Sequence, residues 1–123
     1  MKNRYVLIVE DDEWLASQQK RVIETAGISV EVANHALSAI QLIDKRQPDA
    51  IILDVLLAGS TAFALLHELQ SYGDTGDIPI ILCTNLANDL SLDELSTYGV
   101  KIILDKAKMV PDDLVSSLRS VWL

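Results

Sequence analysis

Uninterrupted apolar runs at regular intervals constrain this chain more than any other feature. Tyr5-Val6-Leu7-Ile8-Val9, Ala50 to Leu53 and Ile78 to Cys83 carry no charged position. A strand that is apolar on both faces must be covered on both faces, as in a central parallel sheet. Val100 to Leu104 resembles them, with Lys101 as its one interruption. Ile28, Val30 and Val32 alternate with Ser29 and Glu31, the pattern of a half-exposed edge strand.

Between these runs the apolar spacing changes to that of helices. Leu15, Val22, Ile23 and Ala26 recur at helical intervals from Glu13, and Gly27 closes the segment. Ala36, Leu37, Ala39, Ile40 and Ile43 form a second stripe before Pro48. Phe63, Leu65, Leu66, Leu69 and Tyr72 mark a third, ended by the turn-rich Gly73-Asp74-Thr75-Gly76-Asp77. A capping box at Ser91-Leu92-Asp93-Glu94 opens a short helix that Gly99 stops. Pro111 at the first helical position, followed by Asp112 and Asp113, starts a last helix carrying Leu114, Leu118 and Val121. Strict alternation of strand and helix predicts an α/β fold, a (βα)5 doubly wound parallel sheet of five strands in the order 2-1-3-4-5. Residues 1–123 are expected to form a single domain.

Ten Lys and Arg stand against 18 Asp and Glu, a formal charge of −8, and no basic run exists. That balance opposes a nucleic-acid or anionic-membrane surface, which needs clustered cations. Half the residues are apolar, which excludes disorder. Cys83 is the only cysteine, so no internal disulfide or structural zinc site can form and a reducing compartment, the cytoplasm, is expected. No apolar run approaches the roughly 20 residues of a membrane span.

In such sheets ligands sit beyond the carboxyl ends of the strands, at the switch point between strands one and three. The residues ending four of the five strands are Glu10-Asp11, Asp54, Thr84 and Lys106. Three carboxylates converging there repel one another by about 4 kcal/mol per pair at 4 Å and an effective dielectric near 20. A hard divalent cation relieves that repulsion, and an oxygen-only donor set suits magnesium, or manganese, better than zinc. Asp54 beside such a cation and Lys106 has the equipment of a phosphoryl acceptor: the carboxylate as nucleophile, the cations on the phosphoryl oxygens, the Thr84 hydroxyl as donor.

These residues resemble a response-regulator receiver domain of two-component signalling, along essentially the whole chain. The matching stretches are Val9-Glu10-Asp11-Asp12, Pro48 to Asp54, Pro79 to Thr84 and Leu104-Asp105-Lys106. The resemblance implies a flavodoxin-like fold, Asp54 as phospho-acceptor, Asp11 as a direct magnesium ligand, Glu10 as a ligand through water and the Leu56 backbone carbonyl as a further one. Thr84 and Lys106 match the family's switch hydroxyl and phosphate-binding lysine. It also implies a histidine kinase or histidine phosphotransfer protein as donor, a downstream protein bound through the helix 4, strand 5 and helix 5 face, and a monomer or a weak phosphorylation-dependent dimer. Such a protein is a signalling switch that catalyses only its own modification, not an enzyme.

The departures from the family are Ala58 and Ala62 after the acceptor, Asn85 after Thr84, Ile103 in place of a rotating aromatic, and Ala107 in place of a proline whose preceding peptide is typically cis. A cis bond before alanine costs about 2.5 to 4 kcal/mol, so either that strain is kept or the loop differs. Leu56 and Leu86 at the rim would leave an attacking water without a polar partner, which predicts slow self-dephosphorylation. Cys83 reads as inert packing, and His35 and His67 as surface histidines. Trp14 either reports on the acidic pocket or covers the first helix; Trp122, one position off the terminal stripe, is expected to be partly exposed, which leaves the terminal helix a candidate docking element. The rival reading is an interaction module of the same fold that signals without phosphate. A nucleotide- or flavin-binding protein is disfavoured, because Glu10-Asp11-Asp12-Glu13 would repel phosphate where a glycine-rich loop is needed.

Overall fold

The computed structural model describes residues 3–57, 60–71 and 73–123, with the side chains of residues 56, 57, 60 and 61 left out. Strands β1 (Tyr5–Val9), β2 (Ser29–Ala33) and β3 (Ala50–Leu53) alternate with α1 (Glu13–Thr25) and α2 (Ala36–Lys45). A two-residue hairpin, β4 (Leu56–Leu57) and β5 (Ser60–Thr61), leads into α3 (Ala62–Gln70). Then come β6 (Ile80–Thr84), α4 (Leu92–Leu95), β7 (Val100–Asp105) and α5 (Asp112–Val121). The main sheet has five strands in the order β2-β1-β3-β6-β7, all parallel, which is 2-1-3-4-5 once the hairpin is set aside.

Alternate strand residues feed two cores. Leu7, Val9, Ile51, Leu53, Ile80 and Leu82 pack beneath α2, α3 and α4. Val6, Ile8, Ile52, Ile81 and Cys83 pack beneath α1 and α5. Burial of both faces is why β1, β3 and β6 carry no charged residue.

The helices correct several expectations. In α1 the core face is Ala16, Gln19 and Ile23, whereas Leu15 and Val22 are half-buried on its flank. Leu37, expected in the α2 stripe, is 62% exposed, and Ala39 and Ile43 carry the contact. Pro111 takes the cap position and α5 begins at Asp112, one residue later than expected. Tyr72 lies outside the described residues. The Ser91 hydroxyl caps α4, accepting from the Glu94 N–H at 3.4 Å. Gly99 then turns the chain with φ +86°, and a Cβ there would meet Gln70 at 3.3 Å, so glycine suits both the angle and the space.

Trp122 is half-buried and also acts as a clasp. Its indole N–H donates to the Asp49 carbonyl at 3.0 Å, and the Arg4 guanidinium sits 5.0 Å from its ring centroid. Asp49 in turn accepts from the Tyr5 N–H at 2.8 Å. The end of α5 is thereby tied to the starts of β1 and β3, opposite the strand ends that bear the site. Among the described residues no helix is long and apolar enough to cross a membrane.

Candidate functional site

Parallel register delivers the strand ends to one rim. Val9 is level with Leu53, so Glu10 and Asp54 follow side by side, and the Asp54 N–H donates to the Val9 carbonyl at 3.1 Å. Thr84 is level with Asp105, and the Lys106 N–H donates to the Thr84 carbonyl at 3.0 Å. One carboxylate oxygen from each of Glu10, Asp11 and Asp54 lies within 4.8 Å of the others. Glu10 is 2% and Asp54 9% exposed, whereas Asp11 opens to solvent. Three hard oxygen donors, one of them reachable from solvent, fit a magnesium-sized cation and offer nothing to a soft metal.

Lys106 brings a positive charge into this cluster. Its Nζ donates to Glu10 Oε1 at 2.6 Å and to Asp54 Oδ2 at 2.9 Å. Burial works against the ammonium, but the hydrogen bonds and charges of Glu10 and Asp54 outweigh it and raise the lysine pKa. Burial likewise raises the Glu10 pKa; the Lys106 hydrogen bond and charge pull it down, and the Asp54 charge adds to the rise. Asp12, adjoining the cluster in sequence, does other work: its carboxylate accepts from the Leu15 N–H at 3.0 Å and caps α1. The buried Thr84 hydroxyl accepts from the Leu86 N–H at 3.1 Å, which fixes the oxygen at the rim.

The structure therefore brings Glu10, Asp11, Asp54 and Lys106 together, with Thr84 at the end of the adjoining strand. The Leu56 backbone lies in the hairpin, paired with Thr61, and Ala62 is buried at the start of α3. Ala58 falls outside the described residues. The Lys106–Ala107 peptide is trans, so the loop takes a different path from the family's cis turn. Asn85 is exposed, and Ile103 and Leu86, both half-buried, pack against the core. The Leu56 side chain lies outside what is described.

The remaining residues fall into structural roles. Trp14, in the first turn of α1, is 71% exposed. His35 Nδ1 caps α2 by accepting from the Ser38 N–H at 3.2 Å, and His67 stands edge-on to Tyr98 at 4.8 Å. Cys83 is buried, with the Gln19 amide at 3.6 Å and the Met109 sulfur at 3.3 Å from its own. Burial pushes its thiol up to about 11. Since the thiolate is the reactive form, iodoacetamide should modify Cys83 in the folded protein roughly a hundredfold more slowly at mildly alkaline pH than in denaturant. Equal rates, followed by mass, would mean that the thiol is neither buried nor raised.

The family model described as "response regulator receiver domain" matches residues 6–119. The chain belongs to this family. The receiver is 33% identical over 79 residues to the response regulator MprA of Mycobacterium leprae, an alignment covering 64% of this chain and 34% of that protein. It thus spans about a third of the length of the curated relatives it matches. A Chloroflexus aurantiacus protein assigned as a response regulator superposes with TM-score 0.84 at 30% identity, covering 98% of both chains. The receiver domain of the sensor histidine kinase PA1611 of Pseudomonas aeruginosa shares the fold, with TM-score 0.81, 21% identity and 97% coverage of each chain. That structure holds a magnesium ion coordinated in its active-site cleft. A receiver domain of two-component systems accounts for the fold and for the sequence stretches that meet at this rim.

Proposed function

We propose that residues 1–123 form one receiver that takes a phosphoryl group from a histidine kinase or histidine phosphotransfer protein onto Asp54, in a magnesium-dependent reaction. The observation that carries this reading is the position of the Asp54 carboxylate, inside an acidic cluster 4.8 Å across and bonded to the Lys106 ammonium at 2.9 Å. A carboxylate oxygen of Asp54 attacks phosphorus as the bond to the donor imidazole breaks, and the imidazole leaves with its electron pair and takes up a proton. Lys106 holds a phosphoryl oxygen, and the Thr84 hydroxyl, its oxygen oriented by the Leu86 N–H, would donate to another. Asp11, Asp54, the Leu56 carbonyl and, through water, Glu10 would hold magnesium or manganese, which neutralises the phosphoryl charge when bound.

The product would bias the loop after Thr84 and the face formed by α4, β7 and α5 toward a downstream protein. In this reading the chain is a cytoplasmic switch rather than an enzyme acting on an external substrate. It works as a monomer or weak phosphorylation-dependent dimer, without touching nucleic acid or membrane. Incubation with acetyl phosphate and magnesium should add one phosphoryl group by intact mass, and chelation should prevent it. Failure with acetyl phosphate, phosphoramidate and candidate kinases would leave the interaction module that signals without phosphate.

The raised Glu10 pKa gives a pH signature. A raised carboxyl holds its proton to higher pH, so protons compete with the metal sooner as pH falls. Magnesium affinity measured calorimetrically from about pH 8 to about pH 5 should begin to drop above the usual glutamate range. In Glu10→Gln binding should be weaker throughout, with its decline moved to lower pH. An unchanged decline in that variant would contradict the assignment.

A further inference from the structure

We propose that Asp105 is a positioning residue for Lys106, acting through the turn that its carboxylate closes; the proposal rests on the phosphoryl-transfer reading above. Lys106 reaches the carboxylates with a long flexible side chain, so the path of its backbone decides where the ammonium can go. On one side that backbone is pinned to the sheet, by the Lys106 N–H on the Thr84 carbonyl at 3.0 Å. On the other side everything converges on Asp105. The Ala107 N–H donates to its Oδ1 at 2.9 Å, and the N–H groups of Lys108 and Met109 donate to its carbonyl at 3.1 and 2.9 Å.

Beyond the turn Met109 packs against the core, but between it and Lys106 the turn rests on Asp105. Ala107 and Lys108 are exposed, so side-chain packing does not fix them, and the peptide between Lys106 and Ala107 is trans. An aspartate accepting from the N–H two residues on makes a side-chain turn that substitutes for a backbone one. The Ala107 N–H is needed for it. Asp105 thereby sets where the chain leaves β7 and delivers the Lys106 Nζ between Glu10 and Asp54. Displacing a charge-stabilising group by about 1 Å can slow a reaction by up to about a hundredfold.

The test uses the full chain with Asp105→Ala, Asp105→Gln and Asp105→Asn. Asparagine keeps an acceptor at the same reach, glutamine moves it by one methylene and alanine removes it. Initial rates of phosphoryl uptake from acetyl phosphate in saturating magnesium should fall about fivefold or more for alanine and glutamine, with asparagine restoring the rate to within about twofold. The nitrogen resonance of the Lys106 ammonium, recorded without phosphodonor, should move toward that of a free lysine in the first two and stay put in asparagine. Rates and resonances unchanged in all three would overturn the proposal, and so would asparagine failing alongside alanine. If alanine does not fold, the contrast between asparagine and glutamine decides by itself. A wild-type chain that takes up no phosphate would sink the phosphoryl-transfer reading, while the resonance would still decide whether Asp105 positions Lys106.

Discussion

Asp54→Asn is expected to abolish phosphoryl uptake while leaving the fold intact. Asparagine has the volume of aspartate and still offers an oxygen to Lys106, whose Nζ lies 2.9 Å from Asp54 Oδ2. What it lacks is the anionic oxygen that must form the bond to phosphorus. The loss should be at least about a thousandfold, below detection by intact mass. Glu10 keeps its own bond to Lys106 at 2.6 Å, and one charge leaves a self-repelling group of three. The unfolding temperature without metal should therefore stay level or rise. Uptake persisting in this variant would place the acceptor elsewhere.

Lys106→Ala should separate stability from chemistry. Its ammonium is the counter-charge held by two carboxylates that are 2% and 9% exposed. Removing one partner of a buried ion group leaves the other charges uncompensated, at a cost of about 3 kcal/mol. Unfolding in chelator should show that loss. Magnesium should return much of it, since a ligand present at about a hundred times its Kd stabilises the native state by about 2.7 kcal/mol. Magnesium should also bind more tightly than to wild type, having no ammonium to displace from Glu10 and Asp54. Phosphoryl uptake should nevertheless fall about a hundredfold, the scale for losing one preorganised donor to developing charge. A variant as stable as wild type in chelator would mean that the ammonium does not neutralise the buried pair.

The strands were legible because a strand covered on both faces admits few polar residues: Ala50 to Leu53 is β3 to the residue. Helix faces were less so. An apolar stripe marks a helix without choosing among adjacent faces, and Leu37 lies outside the core while a small residue such as Ala16 and a polar one such as Gln19 lie inside it. Gln19 is legible only in hindsight, at helical spacing from Ala16 and Ile23. The rim residues could be named because parallel strands end at one edge, so Glu10, Asp54, Thr84 and Lys106 needed only the topology. Their contacts could not: that Asp12 caps a helix, or that Asp105 closes a turn, depends on side-chain directions that spacing does not fix. The clasp of Trp122 on Asp49 was illegible for a related reason: the two are 73 residues apart and no local pattern connects them.

The most direct measurement is to locate the phosphoryl group itself. After reaction with acetyl phosphate and magnesium, borohydride reduces an aspartyl phosphate to homoserine, which peptide mass spectrometry can place. The account predicts homoserine at position 54 alone, dependent on magnesium. Homoserine at Asp11, phosphate on His35 or His67, or labelling that survives removal of the metal would contradict it.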